Sequence, residues 1–300
     1  MSIFGTRHLY LDHFNLREAP FTLTPATQFF HRGGNRGAVL EALQYAAMNT
    51  QGVVTVTGEV GTGKTMLSRM LMENKPKSLE IAYIANPALT RDEIILTIAQ
   101  ELRMRPADKS PAEVLKALQK RLIELHLKGK QVSVLIDEAH VIGADTLEEI
   151  RLLSNLETRH NKLLRIILVG QDELRHTLAT ARMRPLRERI TERFHLGPLG
   201  AADIADYLAS RLRCAGGNPQ TFEPRAVALL ARASEGLSRR INILADKALL
   251  AAFADGSMRV RDTHVRQAIA DARFTRLHGW THWLAPSTWT ARLRRLSPTG

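Results

Sequence analysis

The chain has 300 residues, 44% of them hydrophobic, which suits one large globular domain or a core with a small appendage. Its single cysteine, Cys214, excludes an internal disulfide framework and a cysteine-rich zinc site, and it fits a reducing cytosol. The formal net charge of +12 favours acidic partners such as nucleic acid, anionic lipid or nucleotide. The basic residues are nevertheless spread along the chain, as they are on an ordinary solvated surface, so both interpretations stay open. We expect no signal peptide and no membrane-spanning helix, because no apolar stretch is long enough for either.

The first two thirds of the chain alternate between predicted strands and predicted helices. Residues 1–37 are mixed and are interrupted by prolines and glycines. Strands are predicted at 53–57, 79–85, 131–136 and 164–169, and helices at 36–48, 66–71, 90–104, 111–127 and 147–160. Because the strands are continuous apolar runs, they are expected to form a parallel sheet that is buried on both faces by helices.

Residues 58–65, Gly-Glu-Val-Gly-Thr-Gly-Lys-Thr, match the phosphate-binding pattern G-x-x-x-x-G-K-[ST] between a predicted strand and a predicted helix. Glycines let backbone N–H groups curve around a phosphate, and the helix N-terminus adds partial positive charge. Lys64 is predicted to reach the β- and γ-phosphates of ATP, and the Thr65 hydroxyl to ligate Mg²⁺. The residues predicted to bind the nucleotide in this loop are Gly58, Glu59, Val60, Gly61, Thr62, Gly63, Lys64, Thr65 and Met66.

The third predicted strand ends in two carboxylates, Asp137 and Glu138. An Asp at the carboxyl end of a parallel strand can hold Mg²⁺, and the neighbouring Glu138 can activate a water for attack on the γ-phosphate. The pair therefore predicts hydrolysis of ATP in addition to binding. Asp-Glu-Ala-His at residues 137–140 is also a mark of DEAH helicases, but those need a second RecA-like domain, for which the helical region after residue 196 leaves no room.

These motifs, followed by an arginine-rich segment and a run of helices, resemble the AAA+ ATPases. The closer resemblance is to the secretion- and pilus-associated branch of the ExeA/GspA and MshM type, and it covers about residues 8–273. The blocks that carry it are residues 10–16, 19–21, 57–65, 155–158, 170–174 and 241–245. The resemblance implies an α/β P-loop NTPase (AAA+) fold, with a parallel sheet flanked by helices and a small all-helical lid domain after it.

The resemblance also implies roles for polar residues outside the loop. Gln171, at the end of the fourth strand, corresponds to the sensor that contacts the γ-phosphate or the attacking water, although it could simply cap its strand. Asn86, at the end of the second strand, corresponds to a polar switch residue that can restrain Glu138. Arg239, at the start of a lid helix, corresponds to a second sensor that contacts the γ-phosphate from the lid.

One arginine of the segment 187–193 is implied to act in trans on the nucleotide of a neighbouring subunit, so the resemblance implies a homo-oligomer, either a ring or a filament. Such an arginine stabilises charge on the phosphoryl group in transfer. Arg189 is the first candidate and Arg193 the second, with Arg187 as the third arginine of the cluster. A solvated basic face is the alternative.

The C-terminal tail combines Trp280, Trp283 and Trp289 with a following arginine-rich stretch, which suits peripheral contact with a membrane surface. Packing of the tryptophans on the lid is the alternative. The predicted organisation is an N-terminal segment that contributes to the nucleotide pocket (1–37), a AAA+ core (38–198), a helical lid (199–274) and a Trp/Arg-rich tail (275–300).

The leading functional prediction is an oligomeric AAA+ ATPase that drives assembly or remodelling of a secretion or type IV pilus-like (MSHA-type) apparatus. Its partner would be a protein of that apparatus, and its location the cytoplasm or the cytoplasmic face of the inner membrane. The alternative is a DNA-acting ATPase of the transposition-regulator (TnsC/TniB) type, whose basic surface would contact DNA phosphates. A third possibility is a nucleotide-gated scaffold with little turnover, against which Glu138 argues.

Overall fold

The computed structural model describes residues 10–105, 110–158, 161–272 and 274. Within these residues, five parallel strands form one sheet in the order β2-β3-β4-β1-β5. The strands are β1 (Val53–Thr57), β2 (Leu79–Ile84), β3 (Gln131–Ile136), β4 (Arg165–Gly170) and β5 (Ile190–His195). The interior position of β1, between β4 and β5, places the loop that follows it at the carboxyl edge of the sheet, with a strand on either side.

Helices connect the strands and then continue as a helical unit after β5. Those of the sheet region are α1 (Arg36–Asn49), α2 (Lys64–Glu73), α3 (Arg91–Glu101), α4 (Pro111–Leu127), α5 (Ala144–Leu153), α6 (Glu173–Ala179) and α7 (Arg184–Arg187). Those of the later unit are α8 (Ala201–Cys214), α9 (Pro224–Ser234), α10 (Ser238–Ala254) and α11 (Asp262–Ala272). The predicted α/β architecture with a helical region after the sheet is therefore confirmed.

The sheet is buried on both faces, as its apolar strands predicted. Alternate residues of one strand enter different hydrophobic clusters: Val134 packs on one face with α3, α4 and α5, whereas Leu135 packs on the other with α1 and α2. Local signals fix the helix starts. Thr90 and Ser110 both form capping boxes, with Glu93 and Glu113 respectively, which satisfy backbone donors at the first turns of α3 and α4.

The predicted element list missed one strand, β5, and the two short helices α6 and α7, and it extended one helix too far. The fifth strand was missed, because β5 has the sequence Ile-Thr-Glu-Arg-Phe-His and reads as a charged segment; an edge strand can carry exposed charges, and charges there hinder pairing with other chains. The helix predicted to reach residue 160 ends at Leu153. After it the chain turns and forms a short antiparallel bridge between Glu157 and Lys162.

A third hydrophobic cluster joins the N-terminal segment to the helical unit. Phe14 and Phe21 pack with residues of α8 and α10, among them Leu212 and Leu244. Residues 10–31, which we call the strap, also contact the sheet region, because Arg69 of α2 donates a hydrogen bond from Nη1 to the carbonyl of Pro25 at 2.5 Å. The strap therefore connects the helical unit with the helix that follows the phosphate-binding loop.

Candidate nucleotide site

A cavity of about 360 Å³ lies at the carboxyl edge of the sheet, between the loop 58–65 and the helical unit. It collects side chains from the strap, the loop, the strand ends, the starts of α1 and α10 and the second half of α8. Of the residues predicted from the sequence, the cavity is lined by Val60, Gly61, Gly63, Lys64, Thr65, Met66, Glu138, Gln171 and Arg239. Residues that are distant in the chain thus meet at the place where parallel α/β sheets bind their ligands.

The loop itself is held open around a buried lysine. Gly61 and Gly63 have φ values of +83° and +103°, in the region that favours glycine. Lys64 Nζ donates to the carbonyls of Gly58 at 2.8 Å and Glu59 at 3.0 Å, and the buried Thr62 hydroxyl donates to Glu59 O at 2.9 Å. Gly58, Glu59 and Thr62 form the outer turn of the loop and not the cavity wall.

Burial lowers the pKa of Lys64, while the carboxylates of Glu138 and Asp137 oppose that change by attraction. Burial is the larger of these effects, so the cation is held in a poorly solvated position. A cation that has lost its water and faces a cavity gains most from an incoming phosphate, because Coulombic attraction is stronger where water is excluded. The lysine is therefore placed as phosphate binding requires.

The hydroxyl of Thr65 lies close enough to the carboxylate of Asp137 to favour its charged form, which opposes the effect of burial on the pKa of Asp137. Asp137 is 2% exposed and also accepts from Tyr83 Oη at 3.4 Å and from the Glu138 backbone N–H at 2.9 Å. Burial raises the pKa of Asp137. A buried carboxylate beside a hydroxyl is a set of hard oxygen donors that fits Mg²⁺, which is bound in such sites by few protein ligands together with substrate phosphates.

Glu138 has a backbone conformation that non-glycine residues rarely adopt, with φ +52° and ψ +32°. Such a conformation is strained, and strained residues concentrate at functional sites. Its side chain is 44% exposed and lines the cavity, and its Oε2 lies 3.4 Å from Nδ1 of His140. Asp137 is buried, whereas the side chain of Glu138 is partly exposed in the cavity, so the two adjacent acids have different environments.

The helical unit contacts the loop directly. The backbone N–H of Arg239, in the first turn of α10, donates to the carbonyl of Gly61 at 3.1 Å. A Cβ atom built on Gly61 would lie 2.9 Å from the Cβ of Arg239, so the two backbones approach closely. This contact places the side chain of Arg239 on the wall of the cavity opposite the sheet.

Besides the loop residues Gly58, Glu59 and Thr62 and the buried Asp137, four further predicted residues do not line the cavity, and their predicted roles stay predictions. Asn86 is exposed, and its Oδ1 accepts from the backbone N–H of Ala88 at 3.3 Å. Arg187 donates from Nη1 to the carbonyls of Leu178 at 3.3 Å and Ala179 at 2.7 Å, at the end of α6.

The other two arginines of this cluster lie on either side of the start of β5. Arg193 is exposed on β5, and its Nη2 donates to Arg187 O at 3.3 Å. Arg189 is half-buried between α7 and β5, and its carbonyl accepts from the Val53 N–H at 2.9 Å. Arg187 and Arg193 line a second cavity of about 430 Å³ at the β1–β5 edge, which does not include Arg189.

The sequence did not point to a group of buried polar residues beside the nucleotide cavity. Tyr207 Oη donates to Asn242 Oδ1 at 2.7 Å and accepts from Arg211 Nε at 3.1 Å, and all three residues line the cavity. Arg211 Nη1 donates to the carbonyl of Pro20, and Asn242 Nδ2 to that of Thr22, at 2.9 and 3.2 Å. No sequence signal identifies these residues, because each looks like an ordinary position of an amphipathic helix.

Arg36 is a further residue that the sequence analysis passed over. It is 5% exposed, lines the cavity and contacts the loop and the helical unit. In the sequence it only marked the start of a helix.

Within the described ranges, none of the helices is both long and apolar enough to cross a membrane. The same part of the chain contains no cluster of three or more His, Cys, Asp and Glu side chains suited to a metal ion. A metal in the cavity would therefore depend on Thr65, Asp137 and the phosphates of a bound nucleotide.

The chain resembles known proteins both in sequence and in fold. The model of a family described as an AAA domain matches residues 47–178. The chain is 40% identical over 254 residues to General secretion pathway protein A of Aeromonas hydrophila, an alignment that covers 84% of this chain and 46% of that protein. It is 28% identical over 167 residues to the ATP-dependent target DNA activator B of Escherichia phage Mu, covering 54% of this chain and 50% of that one.

Among solved structures, the ADP form of the Aeropyrum pernix ORC2 protein is similar, with a TM-score of 0.64 and 18% identity. The match covers 84% of this chain and 72% of that chain, and at this identity it shows the fold. This chain spans about half the length of the two sequence relatives, 46% and 50% respectively.

Proposed function

The chain belongs to the AAA+ P-loop ATPases, and we propose that it uses ATP hydrolysis to drive assembly or remodelling of a secretion or type IV pilus-like apparatus. The observation that carries hydrolysis is the meeting of Lys64, Thr65, Glu138, Gln171 and Arg239 on one cavity. The secretion role is supported by the 40% identity with General secretion pathway protein A over most of this chain. We include a pilus-like, MSHA-type apparatus in the proposal because it is related to the secretion apparatus.

The proposed mechanism gives each wall residue one task. Lys64 binds the β- and γ-phosphates, and Glu138 accepts the proton of the attacking water. Gln171 orients that water or the γ-phosphate, and Arg239 stabilises the phosphate charge from the lid side. The Thr65 hydroxyl and the Asp137 carboxylate would hold Mg²⁺, which when bound supplies charge neutralisation on the phosphate oxygens. Asn86 remains a candidate switch residue for Glu138.

We also propose a homo-oligomer, a ring or a filament, in which an arginine of one subunit completes the site of the next. Arg189 stays the first candidate and Arg193 the second. The position of both outside the cavity of their own chain supports action in trans. Arg189→Ala is expected to lower the ATPase rate of oligomers by roughly a thousandfold, within the range of arginine fingers.

A mixing experiment tests the trans arginine. Arg189→Ala subunits keep an intact nucleotide cavity, and Glu138→Gln subunits keep the arginine. If Arg189 acts in trans, mixing two nearly inactive variants restores part of the activity. No recovery on mixing, together with mixed oligomers shown by chromatography, would assign the finger to another residue.

A DNA-acting ATPase is the second candidate function. It is favoured by the similarity to the target DNA activator of phage Mu and by the net charge of +12. Contacts with DNA phosphates would make binding strongly dependent on salt. Both candidates use the same nucleotide site, so they differ in the partner and not in the chemistry of hydrolysis.

The deciding experiment is the ATPase rate of the purified protein alone, with duplex DNA and with anionic liposomes. Stimulation by DNA that fades as salt rises would favour the DNA-acting candidate. Stimulation by liposomes, or by neither, would favour the secretion or pilus role and a protein partner at the cytoplasmic face of the inner membrane. Trp280, Trp283 and Trp289, which we propose for peripheral membrane contact, lie outside the described residues, so the liposome arm tests them directly.

A further inference from the structure

Arg36 lies where three separate parts of the chain meet. It is the first residue of α1, and its side chain is almost completely buried, with 5% exposed. Its Nη2 lies 3.0 Å from the carbonyl oxygen of Thr62 in the phosphate-binding loop, and 3.4 Å from both Gly197 O and Ser238 Oγ. Gly197 belongs to the connection between β5 and α8, and Ser238 is the first residue of α10.

The other terminal nitrogen of the guanidinium, Nη1, is buried and has no hydrogen-bond partner among the described residues. A buried unpaired donor on a charged group is costly, so such a side chain is retained only where its other contacts matter. Asp203 and Tyr207 act on it only through longer-range attraction, and burial lowers the pKa of Arg36 to about 10. The guanidinium also lines the nucleotide cavity, close to groups that would surround a nucleotide.

The first turn of α10 therefore contacts the phosphate-binding loop in two ways. Arg239 N–H donates directly to Gly61 O at 3.1 Å. The adjacent Ser238 is connected to Thr62 O through Arg36. Ser238 and Arg239, two neighbouring residues of α10, are thus linked to the carbonyls of Thr62 and Gly61, two neighbouring residues of the loop. Two contacts on adjacent residues fix both the distance of the helix start from the loop and its rotation.

We propose that Arg36 is a positioning residue that holds the start of α10 against the phosphate-binding loop and so keeps Arg239 directed at the nucleotide. This inference rests on the proposed ATPase function. Arg36 acts through Arg239 and does not take part in the chemistry itself. Lysine is not expected to replace it, because its side chain is shorter and ends in a flexible ammonium group, which would fall short of the position that Nη2 occupies among its three acceptors.

The first test is a double-mutant cycle of Arg36→Lys and Arg239→Ala, with Arg32→Lys as the control. Arg32 precedes the same helix, is exposed and pairs with Glu41, so its replacement is expected to change nothing. Arg36→Lys is expected to keep nucleotide affinity within about threefold and to lower kcat about tenfold, the size of one lost hydrogen bond to a charged group. In the Arg239→Ala background it is expected to have little further effect, since coupled residues are not additive.

An unchanged kcat in Arg36→Lys, or an equal loss in both backgrounds, would overturn the inference. Should Arg36→Lys not fold, Ser238→Ala removes only one of the contacts and is expected to lower kcat a few-fold in the same pattern.

The second test does not depend on hydrolysis. Hydrogen exchange of the amides in the first turn of α10, Arg239 included, is expected to be about tenfold faster in Arg36→Lys than in the wild type and the Arg32→Lys control. If the wild type binds no ATP and exchange is still faster in Arg36→Lys than in the wild type, the ATPase proposal is overturned, but the contact of Arg36 between α10 and the loop stands. Unchanged exchange in Arg36→Lys would overturn the tie itself.

Discussion

The sheet side and the helical side of the nucleotide cavity hold their polar groups by different means. On the sheet side, Lys64 and Thr65 are the first two residues of α2, and Glu138 and Gln171 lie within two residues of the ends of β3 and β4, so backbone hydrogen bonds of the sheet and of α2 fix their positions. On the helical side, Tyr207, Arg211 and Asn242 are held by hydrogen bonds to one another and to carbonyls of the strap. We call these the core wall and the lid wall.

The difference separates chemistry from placement. A core-wall side chain can be replaced with little effect on the fold, because its backbone is already fixed, so the expected damage is to binding or catalysis. A lid-wall side chain is itself part of the structure, and removing it leaves buried partners unpaired. Core-wall variants should therefore lose activity at nearly full stability, and lid-wall variants should lose stability together with activity.

The largest expected effect is that of Lys64→Ala on the core wall. Loss of the cation that faces the phosphates should weaken ATP binding by at least about a hundredfold, because charge-assisted bonds in a poorly solvated site are strong. The melting temperature should change little. Titration with a fluorescent nucleotide measures the affinity, and Lys120→Ala on the exposed face of α4 serves as control. Normal nucleotide affinity in Lys64→Ala would remove the loop from the binding site.

Glu138→Gln should come next. The amide keeps the size of the side chain but cannot accept a proton, so kcat is expected to fall by about 10²–10⁴-fold, the range of general base catalysis. Nucleotide affinity should be retained. Steady-state hydrolysis and direct binding, measured against Glu124→Gln on α4, separate the two effects. Turnover near that of the wild type would mean that another group acts as the base.

Arg211→Ala on the lid wall should act chiefly on stability. Arg211 is buried, donates to Tyr207 Oη and to Pro20 O, and packs with its guanidinium carbon 5.0 Å from the centre of the Phe29 ring. Its removal is expected to lower the free energy of unfolding by about 3 kcal/mol, the upper range for hydrogen bonds of a charged group. Urea unfolding measures this, with the exposed Arg213→Ala of the same helix as control. Equal stability of the two variants would contradict the comparison.

The smallest expected effect is that of Tyr207→Phe. Only the hydroxyl is lost, which leaves Asn242 Oδ1 and Arg211 Nε without their partner. We expect a loss of about 1 kcal/mol in the free energy of unfolding. The exposed Tyr45→Phe of α1 is the matched control, and thermal unfolding of the two variants side by side is the measurement. A loss of turnover with unchanged stability would assign Tyr207 to the chemistry of the core wall.

The same contrast explains what the sequence could predict. The core wall follows from local patterns: residues 58–65 carry their own loop geometry, and the apolar run 131–136 leads directly to Asp137 and Glu138. The patterns at residues 201–214 and 224–234 predict helices in the same way, and these are the observed bounds of α8 and α9, because apolar periodicity and capping are local as well.

The lid wall could not be predicted, because its contacts join residues far apart in the chain, such as Arg211 with Pro20. Helical spacing puts Arg211 on the buried face of α8 and the exposed Arg213 off it, but this spacing does not tell which distant groups Arg211 contacts. The edge strand β5 was not predicted for a related reason. Its charged residues are tolerated because the strand lies at the edge of the sheet, and that position cannot be read from its own sequence pattern. Arg36 combines both difficulties: its position at a helix start is local, whereas its three acceptors are not.

The close contact between Gly61 and Arg239 places a second restriction on the phosphate-binding loop. A side chain at this position would come within 2.9 Å of the Cβ of Arg239 in α10, and its φ of +83° is one that non-glycine residues rarely adopt, so two independent restrictions act on Gly61. Both come from the protein itself. Suppose that a phosphate-binding loop from another protein, with a larger residue in place of Gly61, were grafted into this chain. It would still bind phosphate, but the larger residue would push α10 away from the loop and so separate the lid wall from the core wall. In this molecule the loop therefore has two tasks. Its backbone forms the phosphate-binding loop, and Gly61 lets the first turn of α10 pack against it.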